Sequence, residues 1–178
     1  MRRNSLASLV RHTAVNLHDL FETDRERDHW DKLETTGYYG AQGAGCIFLA
    51  LDTGRLLLAK RSQHVEQPGT YGTFGGAIDQ GEAPLEAAKR EVFEETGFTD
   101  YTTIEPLFVF RDKSFRYYNF LVVVEKEFKP KLNWESDGYK WCKFGRWPSP
   151  LHFGVRRLLA DRASRATIQK YLADGRDG

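Results

Sequence analysis

The chain has 178 residues, of which 40% are hydrophobic and 29% charged. That suffices for one ordinary domain with a core, and it excludes a disordered or fibrous chain. Its 26 basic and 25 acidic residues leave a net charge of +1, so no general field draws it to nucleic acid or to a membrane, and any attraction for phosphate must be local.

Residues 5–34 read as one or two helices, with Leu6, Leu9, Val10, Leu17, Leu20 and Phe21 as candidate buried positions. The first residues carry Arg and Ser in a weak amphipathic pattern, as a transit peptide would. Acids follow at once in DLFETDRERD, however, and no small-residue cleavage signal is evident, so the expected location is the cytoplasm. No apolar run approaches the length that crosses a bilayer. The Gly-rich segment TTGYYGAQGAG marks a link between an N-terminal helical extension, 1–40, and a main domain, 41–178. Its glycines do not complete GxGxxG, and no P-loop signature exists in the chain.

CIFLALDTGRLLLAKRS then reads as a hairpin, two apolar runs around an Asp-Thr-Gly turn. TYGTFGGAID reads as a short strand breaking into a Gly-rich turn, and a helix follows from about Pro84, a residue suited to a first helical turn. TIEPLFVF and RYYNFLVVVEKEF, joined by RDKS, form a second hairpin, and YKWCKF is a further strand. The end, PSPLHFGVRRLLADRASRATIQKYLADG, reads as one C-terminal helix that starts at Ser-Pro or Pro-Leu and stops near Gly175. Hairpins with interposed helices predict a mixed α+β sandwich and not a doubly wound parallel sheet. Cys46 and Cys142 each lie in an apolar run and are expected as buried, reduced thiols.

The helix from Pro84 holds an energetic oddity. Leu85, Ala88 and Val92 share the side that would pack on a sheet, while Glu91, Glu94 and Glu95 fall at i, i+3 and i+4 on a neighbouring face. Like charges at that spacing cost roughly 0.2–0.5 kcal/mol per pair. Glu94 and Glu95 also sit in the last turn, where the helix dipole favours cations. A bound divalent cation would reverse both effects, since hard cations take carboxylate oxygens. A solvated acidic face is the plain alternative. Against it stand Gly75, Gly76 and Gly81-Glu82 before the helix and Gly97 after it, a compact strand–loop–helix turn.

Gly76, Glu82, Arg90, Glu91, Val92, Glu94, Glu95, Gly97 and Phe98 together match the Nudix box, GX5EX7REUXEEXGU. The seven fixed letters coincide by chance on the order of once in a hundred million starts. The chain therefore resembles the Nudix hydrolase family, and the order of elements extends the likeness to about residues 43–145. That resemblance implies a Nudix fold, an α/β/α sandwich around a mixed β-sheet. It also implies Mg²⁺-dependent hydrolysis, with Mn²⁺ as an alternative metal, of a nucleoside diphosphate linked to another moiety. By the same resemblance Glu91, Glu94 and Glu95 are metal ligands, Glu82 is a supporting acid or ligand, and Gly76 offers its carbonyl to a metal. Arg90 orients the glutamates, and the general base is Glu95 or Glu135, the latter on the loop LNWESDG. Ala83 stands where the family often has a capping Ser or Thr, with Pro84 offsetting it.

Recognition of the rest of the substrate is quieter. Arg61, beside Lys60, is a candidate phosphate contact, against a solvated strand end. Phe74 and Tyr117, with Tyr71, Phe115 and Tyr118, are candidates for stacking on a base, against core positions; Trp134 and Trp141 are equally ambiguous. Markers of the ADP-ribose, dinucleoside polyphosphate and NADH subfamilies are missing: residue 114 is Ser where a proline would stand, and Tyr117 and Tyr118 fall beside the tyrosine position. The C-terminal Arg156, Arg157, Arg162, Arg165 and Lys170 are interrupted by Asp161 and Asp174, which disfavours nucleic acid as a partner. The expected substrate is a small nucleotide: a (d)NTP, a nucleotide sugar or ADP-ribose. A capped or triphosphorylated RNA end and a non-catalytic nucleotide sensor are the alternatives, and the intact glutamate set argues against the sensor. The oligomeric state, a homodimer included, stays open.

Overall fold

The computed structural model describes residues 42–113 and 115–174; the helices expected within residues 5–34, and with them the 1–40 extension, lie outside the described residues. Seven strands form one mixed sheet: β1 (Gln42–Ala50), β2 (Arg55–Arg61), β3 (Tyr71–Gly72), β4 (Phe74–Ala77), β5 (Thr103–Asp112), β6 (Phe115–Val124) and β7 (Ser136–Lys143). Among the described residues three helices accompany them: α1 (Pro84–Thr96), α2 (Phe153–Ala160) and α3 (Arg162–Asp174).

β1 organises the sheet. It runs parallel to β6 along its whole length, from Gln42↔Arg116 to Ala50↔Val124. Its other edge is shared: Gly43–Cys46 pair with β4, and Phe48–Ala50 pair with β2. The sheet therefore divides at Ile47, where pairing along this edge passes from β4 to β2. β2 carries β7 and β3, and β5 closes the far side against β6. Pro106, which has no N–H to donate, sits on that outer strand beside a bulge, as a proline in a sheet must.

Because β1 is covered on both faces, its apolar residues run on without polar alternation. Ala44, Cys46, Phe48 and Ala50 face α1, packing with Ala87, Ala88 and Val92. Ile47 and Leu49 face Val155, Leu158, Leu159 and Ile168 of α2 and α3. The result is the expected α/β/α sandwich. Cys46 and Cys142 are free and buried, as expected. Among the described residues no helix is long and apolar enough to cross a membrane.

The C-terminal helix is real but divided. The polypeptide leaves helical geometry at Asp161, with ψ at 128°, so α2 and α3 replace one continuous helix. The first of them begins at Phe153 rather than at the Ser-Pro or Pro-Leu pair. Pro150 and Leu151 instead run beside β3, where the Tyr71 N–H donates to the Pro150 carbonyl and the His152 N–H to the Tyr71 carbonyl, both within 2.9 Å.

Phe74 requires a second correction. It is fully buried, edge-on to Phe48 at a centroid distance of 5.7 Å. An enclosed ring offers no face to a base, so Phe74 is a core residue and not a substrate contact. Trp141 is committed to packing too, its indole N–H donating to the Phe128 carbonyl.

Candidate active site

α1 delivers the acids because its other positions are fixed by the core. Pro84 opens it without a side-chain cap at Ala83, and Gly97 ends it at a φ of 66°, its N–H returning to the Phe93 carbonyl. With Ala88 and Val92 against the sheet, Glu91 and Glu95 are drawn inward and are 1% and 3% exposed, while Glu94 is half-buried. Buried carboxylates need partners. The Gly75 N–H donates to Glu95 Oε1. Glu91 lies against Gly76 so closely that a Cβ there would stand 2.8 Å from Glu91 Oε1.

Arg90 gathers the remaining acids. Its Nε and Nη2 donate to the two oxygens of Glu82, each at 2.9 Å, a bidentate pair. Nη1 donates to Glu91 Oε1 at 2.6 Å and to Glu94 Oε2 at 3.3 Å. Nη2 also donates to the Ala77 carbonyl, which ties α1 to β4. Its hydrogen bonds hold Glu82 below the ordinary carboxylate pKa. One guanidinium thus offsets much of the repulsion that the sequence alone left unexplained.

Glu95 moves the other way. Burial, then the charges of Glu135 and Glu91, raise its pKa well above the usual value. Glu135 faces it because the 133–136 loop is pinned to β2: the Ser62 N–H donates to the Glu135 carbonyl, and the Glu135 N–H to Asn133 Oδ1. Two acids 40 residues apart in the chain thus confront one another across the site.

Arg61 reaches the same region but is engaged. Its Nε donates to the Glu66 carbonyl at 2.7 Å and its Nη2 to Glu66 Oε2 at 3.2 Å, which folds the β2–β3 loop back on its own start. Its charge is still felt by Glu95, Tyr117 and His152. Tyr117 lies flat along β1. A Cβ on Gly43 would come within 2.6 Å of its ring, and its hydroxyl ends beside Thr73 Oγ1, at 3.5 Å. Burial pushes that hydroxyl's pKa up.

Of the residues singled out in the sequence, Arg90 joins Glu82, Glu91 and Glu94, Gly76 lies against Glu91, and Glu95 feels the charges of Glu91, Glu135 and Arg61, with Tyr117 at one side; Phe74 does not join them. Sequence reasoning passed over the Gly75 N–H, Thr73 and His152. A backbone donor leaves no trace in a residue pattern, and His152 is hidden as an unusual capping residue in PSPLHFG.

The donor set suits a hard divalent cation: oxygen only, two carboxylates buried on one helix, and a glycine against them where a Cβ would intrude. Among the described residues no three metal-binding side chains already converge as a closed cage. Arg90 and the Gly75 N–H hold the carboxylates at their present positions.

A model of the NUDIX domain matches residues 41–161. A comparison with curated proteins gives no match. Among solved structures, the MutT NUDIX hydrolase from Burkholderia pseudomallei is 24% identical, with a TM-score of 0.54 and coverage of 66% of this chain and 94% of that one. An Ap4A hydrolase of C. elegans, solved as a binary complex, is 21% identical with a TM-score of 0.53, over 76% of this chain and 99% of its own. RenU, a Nudix hydrolase of M. smegmatis, is 22% identical with a TM-score of 0.54, over 75% and 86%. At these identities the structural likeness speaks for the fold.

Proposed function

The chain belongs to the Nudix family of hydrolases, and on that premise we propose that it hydrolyses the pyrophosphate linkage of a small nucleoside diphosphate derivative, by attack of water at phosphorus. The observation that carries this reading is the pair of buried glutamates, Glu91 and Glu95, set against Gly75 and Gly76 and braced through Arg90. A solvated acidic face would need none of these contacts.

Glu91, Glu94 and Glu95, with Glu82 and the Gly76 carbonyl beside them, are the oxygens that would hold Mg²⁺ or Mn²⁺. Such cations, when bound, polarise pyrophosphate oxygens and acidify a water. The rest falls to the chain itself. Arg90 holds three acids in register with β4, so that little reorganisation remains at the moment of reaction. Glu135, whose loop is pinned to β2 and whose charge Glu95 feels, would accept the proton of the attacking water, with Glu95 as the other candidate base. Substrates in range are a (d)NTP, a nucleotide sugar or ADP-ribose, and the reaction belongs in the cytoplasm.

A panel of these nucleotides, assayed with Mg²⁺ and with Mn²⁺ by phosphate release and chromatography, tests the reading. Cleavage of at least one pyrophosphate is expected, together with a loss of turnover of roughly 100-fold or more in Glu95→Gln and Glu94→Gln. Wild-type turnover in both variants would remove the glutamates from the mechanism. Tight nucleotide binding without cleavage would make the protein a sensor.

A further inference from the structure

On the sheet face opposite α1, a row of half-buried aromatic rings leads away from the carboxylates. Tyr117 starts it, with its hydroxyl beside Thr73 and its ring over the glycines of β1. Phe115 follows at a centroid distance of 6.5 Å, then Phe110 at 6.5 Å, then Phe153 at the head of α2 at 5.3 Å. The imidazole of His152 lies 4.6 Å from Phe153. From His152 the contacts turn back: its N–H donates to the carbonyl of Tyr71, two residues before Thr73. The rings and the β3 strand thus make a circuit that begins and ends where Gly75 holds Glu95. Every ring in it keeps part of its surface in solvent.

His152 is the polar group at the far end of that circuit, as the Tyr117 hydroxyl is at its start. Its Nδ1 accepts the Gly154 N–H at 3.2 Å, which leaves Nε2 to carry the ring proton of the neutral imidazole. Burial, then the charges of Arg61 and Arg156, pull its pKa down to about 3, so the imidazole stays neutral at physiological pH. No protein acceptor takes the Nε2–H among the described residues. A half-buried side chain that is locked in one tautomer beside a row of aromatic rings is a fixed hydrogen-bond donor.

We propose that this aromatic face holds the nucleobase of the substrate, and that His152 reads the base through Nε2–H, selecting a ring edge that presents a hydrogen-bond acceptor. The proposal rests on the nucleotide reading above and deepens it. Aromatic rings that keep part of their surface in solvent suit a planar ligand, and stacking tolerates any base. The discrimination therefore falls to the Nε2–H of His152, whose tautomer the Gly154 N–H fixes. A carbonyl or ring nitrogen satisfies it, whereas an amino group at that position opposes two donors. His152 is thereby a specificity residue, distinct from the groups that act at phosphorus.

His152→Asn is the informative variant, because the Asn side chain still caps α2 while losing the ring and the reach of Nε2. KM for the preferred nucleotide should rise about tenfold or more with kcat little changed, the signature of lost binding shared by ground and transition states. Phe153→Leu should do the same. Tripolyphosphate, which has no base, serves as a competitive inhibitor, and its Ki should be unchanged in both variants. An unchanged KM in His152→Asn overturns the proposal. So does a parallel rise in KM and in the tripolyphosphate Ki, which would place the residue in the fold rather than at the base. If the wild type cleaves no nucleotide, the hydrolase reading falls separately. The base site is then decided by calorimetric affinity for α,β-methylene nucleotides, which should weaken in His152→Asn and would refute the site if it did not.

Discussion

Arg90 shows at the scale of one residue why the glutamates can be crowded. A lysine would keep the charge, but a single ammonium cannot engage both oxygens of Glu82, a second and third carboxylate and the Ala77 carbonyl together. Arg90→Lys is expected to lower stability by about 1.5–3 kcal/mol, the range for hydrogen bonds to charged groups. It should also lower kcat, because Glu91 and Glu94 lose their common anchor. Urea denaturation beside steady-state kinetics checks both, and a variant as stable and as fast as wild type would show the fork to be dispensable. Gly76 makes a different point. Its backbone is not in the left-handed region, so the residue is glycine for space alone: a Cβ would press on Glu91 Oε1 at 2.8 Å. Gly76→Ala should therefore shift Glu91 and raise the Mg²⁺ concentration needed for half-maximal rate by about tenfold, in the range by which disturbed ligand support weakens metal sites. An unchanged Mg²⁺ requirement would argue that Glu91 does not meet the metal.

Single elements differ in how openly the sequence declares them. The β1–β2 and β5–β6 hairpins were legible because each pairs two apolar runs across a short polar turn, and Gly54, at a φ of 61°, closes the first. The start and stop of α1 were legible from Pro84 and Gly97. Phe74 was not, because on a strand of four residues a buried aromatic and a stacking aromatic share one pattern, and only the ring of Phe48 decides between them. The α2–α3 break was hidden for a related reason: LLADRASRA keeps helical composition through the point where the backbone turns. What marks it is Asp161, whose Oδ2 accepts both the N–H and the hydroxyl of Ser164, at 2.8 and 2.7 Å, as the cap of α3. Those bonds hold its carboxyl below the ordinary pKa. Asp161→Ala should lower the melting temperature by a few degrees at neutral pH. Because the folded pKa is depressed, the cap stabilises above the unfolded value and its contribution is lost as pH falls through the folded one. The difference between variant and wild type should then shrink near pH 3, and a constant difference across pH would refute the cap.

Over the whole molecule, two sets of buried groups pull stability in opposite directions with pH. His152 has a folded pKa of about 3, far below its ordinary value, so the unfolded chain binds its proton first; the stability it contributes is complete above the unfolded pKa and drains away as pH falls toward 3. Arg61 and Arg156 face it and add to the effect of burial. Glu66 and Glu95 are raised, by burial above all, so each costs stability as pH climbs through its folded pKa and an ionised carboxylate must stay enclosed. Arg61 offsets part of this cost for both, whereas Glu135 and Glu91 increase it for Glu95. A fold optimised for stability would not keep Glu95 there, and its presence makes sense if a cation supplies the missing charge. Mg²⁺ should therefore stabilise the folded protein, by about 2.7 kcal/mol at a hundredfold excess over its dissociation constant. That corresponds to a rise of several degrees in melting temperature. The rise should be larger at pH 8 than at pH 5.5, because burial holds the Glu95 carboxyl well above its usual range and the cost of enclosing its charge grows as pH climbs. Glu95→Gln should start out more stable than wild type at pH 8 and lose most of the Mg²⁺ response. Thermal denaturation of both proteins at the two pH values, with EDTA and with Mg²⁺, measures each of these differences. An Mg²⁺ response of the same size in Glu95→Gln would separate the buried charge from metal binding.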